Sequence, residues 1–107
     1  MPINLEKMKA WRRTVVVKFA SEECRVTYRP GAYTASLLDR AAKEPGVEGY
    51  YRTVISELVA EWDVLDDTGK AMAPTLELIS TLSLEFLKAV KAAILEDLKV
   101  SKEQKNF

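Results

Sequence analysis

The segment that most constrains the fold lies between Tyr50 and Trp62, where apolar side chains recur at helical spacing. The apolar positions are Tyr51, Val54, Ile55, Leu58, Val59 and Trp62. This spacing places them on one face and predicts an amphipathic helix over residues 50–62. The residues that follow, Asp66-Asp67-Thr68-Gly69, are typical of a turn. The chain must therefore supply other elements that cover this apolar face and the indole ring at its end.

The composition limits the chain to one domain and excludes several kinds of active site. Its 107 residues are enough for one hydrophobic core. It contains no histidine and a single cysteine, Cys24, so it lacks the residues for a Ser–His or Cys–His pair and for a Cys- or His-based zinc site. Its four glycines form neither a dinucleotide-binding motif nor a P-loop. We expect a protein that is not an enzyme, with no catalytic residue, cofactor or metal.

Charge and hydropathy indicate the compartment. Sixteen Lys and Arg residues balance sixteen Asp and Glu residues, so no net charge attracts nucleic acid or an anionic membrane. No apolar run approaches the roughly 20 residues of a membrane span, and the N-terminus does not resemble a secretory signal. The lone cysteine allows no intramolecular disulfide and agrees with a reducing environment. The sequence predicts a cytoplasmic protein without a membrane segment.

Residues 1–13 are predicted to form an N-terminal arm or a short helix capped by Asn4. Trp11 lies near its end, and two interpretations are open: it packs on the domain's own core, or it contacts a partner. The same segment carries a basic cluster: Lys7, Lys9, Arg12 and Arg13. No aromatic residues are interleaved with these bases, so a solvated surface is favoured over a phosphate-binding one.

Residues 14–29 alternate with the period of a strand on both sides of a polar segment, which predicts a β-hairpin. A loop at positions 20–23 would place six apolar side chains on one face, in three facing pairs: Phe19 with Cys24, Val17 with Val26, and Val15 with Tyr28. The same register sets Lys18 opposite Arg25, a like-charge pair. Two strands alone are marginally stable, so helices are expected to cover their apolar face.

Three further helices are predicted from capping residues and apolar spacing. They span about residues 34–43, 75–80 and 84–99. Thr34 caps the first, Pro74 precedes the second, and Ser83 caps the third. Residues 101–107 are polar and are predicted to be a flexible tail. The expected fold class is α+β, with an N-terminal β-hairpin packed against a mainly α-helical domain of three to four helices. Residues 14–100 would form this single globular domain.

The acidic turn after Trp62 invites comparison with a calcium-binding loop. Counted from Asp63, the twelfth position holds Pro74, where such a loop has a bidentate glutamate. Asp66 and Asp67 are adjacent and therefore poorly placed as an acid and base pair. The sequence favours a plain turn in which aspartates bond backbone amides and Gly69 adopts a positive φ.

The last predicted helix has an apolar arc of about 180°, wider than the roughly 100° that a surface helix needs. Its members are Leu87, Val90, Ile94 and Leu98 at the centre, Phe86 and Ala93 on one flank, and Leu84 and Leu95 on the other. Two explanations are open: the helix lies between two neighbours of its own chain, or part of the arc meets another chain. Leu84, Leu95 and the terminal Phe107 are the candidate protein-binding residues, and a homo-oligomer is one form of such contact.

Three segments carry motifs whose order and spacing matter more than any one of them. The segments are VTYRPGAYT at 26–34, WDVLDDTGK at 62–70, and PTLELISTLSLEFLKAVKAAILEDLK at 74–99. They resemble the V-x-Y-x-P-G hairpin element, the W-D-L-x-D-D-x-G-K segment and the helical end of the tail assembly chaperones of long-tailed bacteriophages and prophages. Ser83 stands where relatives often have proline, and Ala73 lies in their proline-rich approach to the last helix. Both residues are compatible with a helix start.

The resemblance implies a non-enzymatic role in virion tail morphogenesis. Such proteins hold the tape-measure protein soluble in the host cytoplasm, recruit tail-tube subunits around it, and are not retained in the mature virion. The alternative is a small phage-encoded regulatory or nucleic-acid-binding protein that uses the Lys7–Arg13 cluster. The zero net charge and the lack of a base-reading helix make nucleic acid the less favoured partner.

Overall fold

The protein is described here by a computed structural model that covers the backbone of residues 4–105 and the side chains up to Lys99. The helices are α1 Leu5–Ala10, α2 Ala35–Ala42, α3 Gly46–Leu58, α4 Leu76–Ile79 and α5 Leu84–Lys105. The strands are β1 Arg13–Phe19, β2 Glu22–Tyr28 and β3 Val59–Trp62, and a 3-10 turn at Pro30–Ala32 follows β2. The strands form one antiparallel sheet in the order β1-β2-β3. The predicted α+β class is confirmed, and the hairpin gains a third strand.

The predicted helix over residues 50–62 is wrong at both ends. Helix α3 begins at Gly46 and ends at Leu58, where the chain passes directly into β3. The backbone amide of Arg29 donates to the carbonyl oxygen of Leu58 at 2.7 Å, and its guanidinium donates to that of Val59 at 3.0 Å. These bonds satisfy carbonyl groups that a helix leaves unpaired at its C-terminus. Trp62 is buried, as predicted, but it lies in a strand.

A β-bulge explains why the end of this segment imitates a helix. The pairs between β3 and β2 are Trp62 with Val26, Glu61 with Thr27, and Val59 with Tyr28. Ala60 is therefore an extra residue in β3. In a regular strand, residues three apart face opposite sides, but the extra residue returns Val59 and Trp62 to the same buried side. A spacing of three then matches one turn of a helix.

The hairpin forms on the predicted face but in a different register. Its turn consists of Ala20 and Ser21, with φ of 51° and 67°, in place of the four-residue loop that we predicted. Positive φ at both positions is typical of a type I′ turn, whose twist suits a hairpin. The observed pairs are Phe19 with Glu22, Val17 with Cys24, Val15 with Val26, and Arg13 with Tyr28. Because the shift is by two residues, the apolar face is unchanged. Lys18 now faces Glu23, and the predicted like-charge pair with Arg25 does not form.

The helix caps follow the sequence pattern. The side chains of Asn4, Thr34, Thr75 and Ser83 accept hydrogen bonds from backbone amides of the helices that follow them. Helix α5 is longer than predicted, since its backbone remains helical to Lys105 through most of the segment predicted as a tail. Among the described residues, no helix has the length and apolar character to cross a membrane.

The hydrophobic core lies between the inner face of the sheet and helices α2, α3 and α5. Its buried members are Val17, Val26, Tyr28, Leu37, Ala41, Val54, Ile55, Leu58, Val59, Trp62, Ile79, Leu87, Val90 and Ile94. Helix α5 packs against both α3 and β1. Two neighbours in the same chain thus account for the centre of its wide apolar arc.

Helix α1 lies outside this core. None of its residues is buried, and Leu5 and Met8 are 62% and 38% exposed. It packs against the 3-10 turn, where a side chain in place of Gly31 would collide with the carbonyl oxygen of Met8. Trp11, which follows α1, is partly buried. The close approach of the Met8 backbone and side chain to Gly31 holds the helix against the 3-10 turn, and Leu5 remains largely exposed.

Candidate functional site: an apolar groove at the hairpin tip

A groove of about 450 Å³ opens beside the tip of the β1–β2 hairpin. We call it the tip groove. It lies between the hairpin, the segment after β3, and the start of α5. Its lining residues are Val17, Phe19, Glu22, Glu23, Cys24, Asp63, Val64, Leu65, Leu82, Ser83 and Phe86. Most of these are apolar, so the groove presents the kind of surface that binds another apolar group.

Aromatic contacts fix one wall of the tip groove. The ring of Phe86 meets that of Phe19 edge to face, with centroids 5.4 Å apart and planes at 71°. The Phe86 ring centroid also lies 5.9 Å from that of Trp62. The indole Nε1 of Trp62 donates a hydrogen bond of 2.9 Å to the carbonyl oxygen of Met72. This wall is therefore set before any partner binds, which lowers the entropic cost of binding.

The acidic turn holds Leu65 at the edge of the tip groove. Leu65 is 57% exposed and forms a β-bridge with Ala71. The Asp66 carboxylate between them accepts hydrogen bonds from the amides of Thr68 and Lys70 and from the Thr68 hydroxyl. The hydroxyl bond is the main cause that lowers the pKa of Asp66. With Gly69 at φ 84°, the predicted plain turn is confirmed. Its effect is to fix a large apolar side chain in solvent.

The lining of the tip groove is acidic as well as apolar. It includes the carboxylates Glu22, Glu23 and Asp63, and no lysine or arginine is among the lining residues. Glu23 faces Lys18 across the hairpin. An apolar segment that also carries basic residues would complement this surface.

Cys24 lines the tip groove, where its thiol is partly buried. Burial raises its pKa, and the nearby charge of Asp63 raises it further against an opposing hydrogen bond from the Asp63 backbone. A raised pKa keeps the sulfur protonated, and the thiolate is the nucleophile. Cys24 is only partly buried, and its raised pKa makes it less reactive than an exposed thiol.

A polar cluster joins the hairpin to α5 at the end away from the tip groove. The Asp97 carboxylate accepts hydrogen bonds from Arg13 at 2.7 and 3.3 Å and from the Tyr28 hydroxyl at 2.6 Å. The Arg13 bond is the main cause that lowers the pKa of Asp97. Burial is the main cause that raises the pKa of Tyr28, so its hydroxyl remains a donor. The bonds of this cluster hold β1 and β2 on α5.

Neither metal-ligating side chains nor a second groove indicates a better candidate site. Among the side chains that the structure describes, residues 4–99, no group of three or more Cys, Asp or Glu residues is placed to hold a metal ion. A groove of about 470 Å³ on the outer face of the sheet is lined by charges of both signs, including Arg25, Glu61 and Asp63. It lacks the paired phenylalanine rings of the tip groove and presents less apolar surface to a partner.

The structure does not bring the predicted binding residues together. Leu84 and Leu95 lie on one flank of α5, are partly exposed, and do not line the tip groove. Between them, the Lys91 ammonium lies 4.8 Å from the Tyr50 ring centroid and 5.4 Å from that of Tyr51. This cation–π contact covers part of the flank. Phe107 lies outside the described residues.

The basic cluster of the N-terminal segment is divided by the fold. Lys7, Lys9 and Arg12 are exposed on or beside α1, whereas Arg13 is bonded to Asp97. The Arg12 guanidinium also donates to the carbonyl oxygens of Lys9 and Trp11. A small exposed basic patch remains on and beside α1.

Comparisons with known proteins add no relative. No protein-family model, no curated protein and no solved structure matches the chain.

Proposed function

We propose that the protein is a non-enzymatic tail assembly chaperone. It binds an apolar segment of a tape-measure protein in the tip groove and recruits tail-tube subunits during assembly of the virion tail. It acts in the host cytoplasm and is not retained in the mature virion. The resemblance of residues 26–34, 62–70 and 74–99 supplies the class of function. The observation that carries the proposal is the tip groove, in which an exposed Leu65 adjoins a fixed aromatic wall.

The physical argument rests on exposed apolar surface that the fold does not bury. A turn that fixes a 57% exposed leucine leaves apolar area in water, and burying that area in a complex is favourable by about 25 cal/mol per Å². A long helical tape-measure protein has apolar stripes of its own, which aggregate unless they are covered. Laying such a stripe into a preformed groove is a common mode of peptide recognition.

The test compares two apolar residues of similar exposure that lie in different parts of the fold. Leu65 lies in the tip groove and Val47 lies at the start of α3, and they are 57% and 52% exposed. Each is replaced by aspartate, and the chain is co-expressed with a candidate tape-measure protein, a long helix-rich chain from the same genome. We expect Leu65→Asp to reduce the soluble, co-purified tape-measure protein by about tenfold, because it places a charge in the apolar contact.

The control variant Val47→Asp should recover as much tape-measure protein as the wild type. Both variants should keep the wild-type circular dichroism spectrum, since each changes an exposed position. Equal recovery by the two variants would overturn the assignment to the tip groove. If even the wild type neither binds nor solubilises the tape-measure protein, the chaperone function itself is wrong.

A further inference from the structure

The carboxylates that line the tip groove do not all lie on the same face of the sheet. Glu22, Glu23 and Asp63 are its acidic lining residues. Successive residues of a strand point to opposite faces, and the alternation in β2 buries Val26 on the inner face. Glu22 and Cys24 therefore share this inner face with the groove, whereas Glu23 belongs to the outer face.

The pairing of β1 with β2 places Glu22 beside the aromatic wall of the groove. Glu22 faces Phe19 in the register of the hairpin, and the Phe19 ring meets the Phe86 ring edge to face. Residues that face each other in an antiparallel pair have their side chains on the same side of the sheet, with Cβ atoms about 5 Å apart. Since Glu22 is exposed, its carboxylate lies at the rim of an apolar wall, within reach of a bound segment.

Glu23 and Asp63 each have a base of this chain as their neighbour on the outer face. Glu23 faces Lys18 in the hairpin. The amide of Asp63 donates to the carbonyl oxygen of Arg25 at 3.0 Å, which continues the pairing of β2 with β3 and sets these two residues opposite each other. The groove-side face of the hairpin tip thus carries a single one of the three carboxylates, that of Glu22.

We propose that the tip groove selects amphipathic helical segments that carry Lys or Arg beside their apolar side chains, and that Glu22 determines this preference. The apolar side chains of the segment lie against Phe19, Phe86 and Leu65, and a base one helical turn away meets the Glu22 carboxylate. An acidic segment with the same apolar area is repelled, so the charge supplies specificity and the apolar contact supplies affinity. The inference rests on the proposed function for the natural client, a tape-measure protein, and names the class of segment that this client presents.

Model peptides test this preference without the natural client. Three helix-forming peptides of about 18 residues share the same leucine positions and differ only in the flanking residues, which are all Lys, all Gln or all Glu. Fluorescence anisotropy of a common uncharged label measures the dissociation constant of each peptide. At about 0.05 M salt we expect the Lys peptide to bind about tenfold more tightly than the Glu peptide, with the Gln peptide between them. The preference should disappear at about 1 M salt, where the Debye length is about 3 Å.

Glu22 and Glu23 form a matched pair for mutagenesis, because they are adjacent, exposed and equal in charge. Glu22→Lys removes an attraction and adds a repulsion, so it should reduce the preference for the Lys peptide by about fivefold or more. Glu23→Lys changes the net charge by the same amount but on the outer face, and it should leave the preference within about twofold of the wild-type value. Both variants should keep the wild-type circular dichroism spectrum, since each changes an exposed position.

Replacing Leu65 by asparagine tests whether the peptides bind in the tip groove. Leu65→Asn removes an exposed apolar side chain without changing the net charge, and it should weaken binding of the Lys peptide by about tenfold. Val47→Asn removes an apolar side chain of similar exposure at the start of α3 and should bind this peptide as the wild type does. A Lys peptide whose leucines are replaced by serine should bind at least about tenfold more weakly, because burial of apolar area supplies the affinity.

Three results would overturn the inference: no binding of any peptide, equal affinity for the Lys and Glu peptides, or equal effects of Glu22→Lys and Glu23→Lys. Its failure is distinguishable from a failure of the proposed function. If the wild type recovers the tape-measure protein but binds the three peptides equally, the chaperone function stands and the charge selection is wrong. If it selects the Lys peptide through Glu22 but recovers no tape-measure protein, the charge selection stands and the assigned client is wrong.

Discussion

Replacing Asp97 by asparagine removes a carboxylate that joins the hairpin to α5. Asp97 accepts bonds from Arg13 and Tyr28, and its side chain is 20% exposed, against 31% for Arg13. Hydrogen bonds to charged groups contribute about 1.5–3 kcal/mol each, and partial exposure reduces this value. Asparagine keeps one acceptor oxygen but loses the charge, so we expect the variant to lose about 2 kcal/mol. For a domain of this size, that corresponds to a melting temperature lower by roughly 10 °C.

The loss should depend on pH in a defined direction. Chiefly because Arg13 donates to it, the pKa of Asp97 lies below its ordinary value in the folded protein. A depressed pKa gives stability that is fully present above the ordinary value of about 4 and is lost as the pH falls through the folded value. The wild type should therefore lose its advantage over Asp97→Asn as the pH falls from about 5 to about 2.

Urea unfolding at pH 7, 4 and 2.5 measures both effects. The matched control is Asp39→Asn, which neutralises an exposed carboxylate on α2 and should change stability by no more than about 0.5 kcal/mol. The reasoning is refuted if Asp97→Asn is as stable as this control at pH 7. It also fails if the difference between wild type and Asp97→Asn is as large at pH 2.5 as at pH 7.

Three further predictions concern the core, the α5 flank and metals. Trp62→Ala should cost about 3–5 kcal/mol, because it empties a buried site and leaves the Met72 carbonyl oxygen without its donor; a melting temperature within a degree or two of the wild type would contradict it. Leu95→Glu should leave the fold intact, since Leu95 is partly exposed and outside the core, and should weaken self-association or tape-measure recovery; light scattering and a pull-down decide, and no change in either would make Leu95 ordinary surface. Micromolar calcium or zinc, compared with EDTA, should not shift the thermal melt, because the twelfth position counted from Asp63 holds Pro74 and not the bidentate glutamate of a calcium-binding loop; a rise of several degrees would show a metal site.

The elements that the sequence predicted well are those with a local cause. Asn4, Thr34, Thr75 and Ser83 cap the helices that follow them, and each cap is a bond between residues two or three apart. The apolar face of the hairpin was also predicted, because alternation fixes the face. Its register was not, because Ala20 and Ser21 lack the Asn-Gly or Gly signal that usually marks a type I′ turn.

Strand β3 was missed for a tertiary reason. The sequence around Val59 satisfies a helical period, and nothing local reveals that Ala60 will bulge. Tyr28 and Val26 supply the pairing partners from a distant part of the chain, and strand pairing overrides the helical pattern once α3 ends. A buried position every third residue is compatible with both a helix and a bulged strand.

The tip groove was missed because its wall comes from three separate segments. Phe19, Leu65 and Phe86 are far apart in sequence and meet only in the folded chain. One local signal was present: Leu65 is an apolar residue next to an acidic turn, and such a turn lies at the surface and not in the core. The predicted residues Leu84 and Leu95 were chosen from one helix alone, and a helical wheel does not show which flank faces a neighbour.

The direct passage from α3 into β3 has a consequence for local unfolding. No loop separates Leu58 from Val59, and Arg29 bonds the carbonyl oxygens of both. We therefore expect the last turn of α3 and the first residue pair of β3 to open together. Amide protons on the two sides of this junction should exchange with solvent at a common opening free energy, as one cooperative unit. Deuterium uptake measured residue by residue would show helix and strand here as a single step, although the two belong to different kinds of secondary structure.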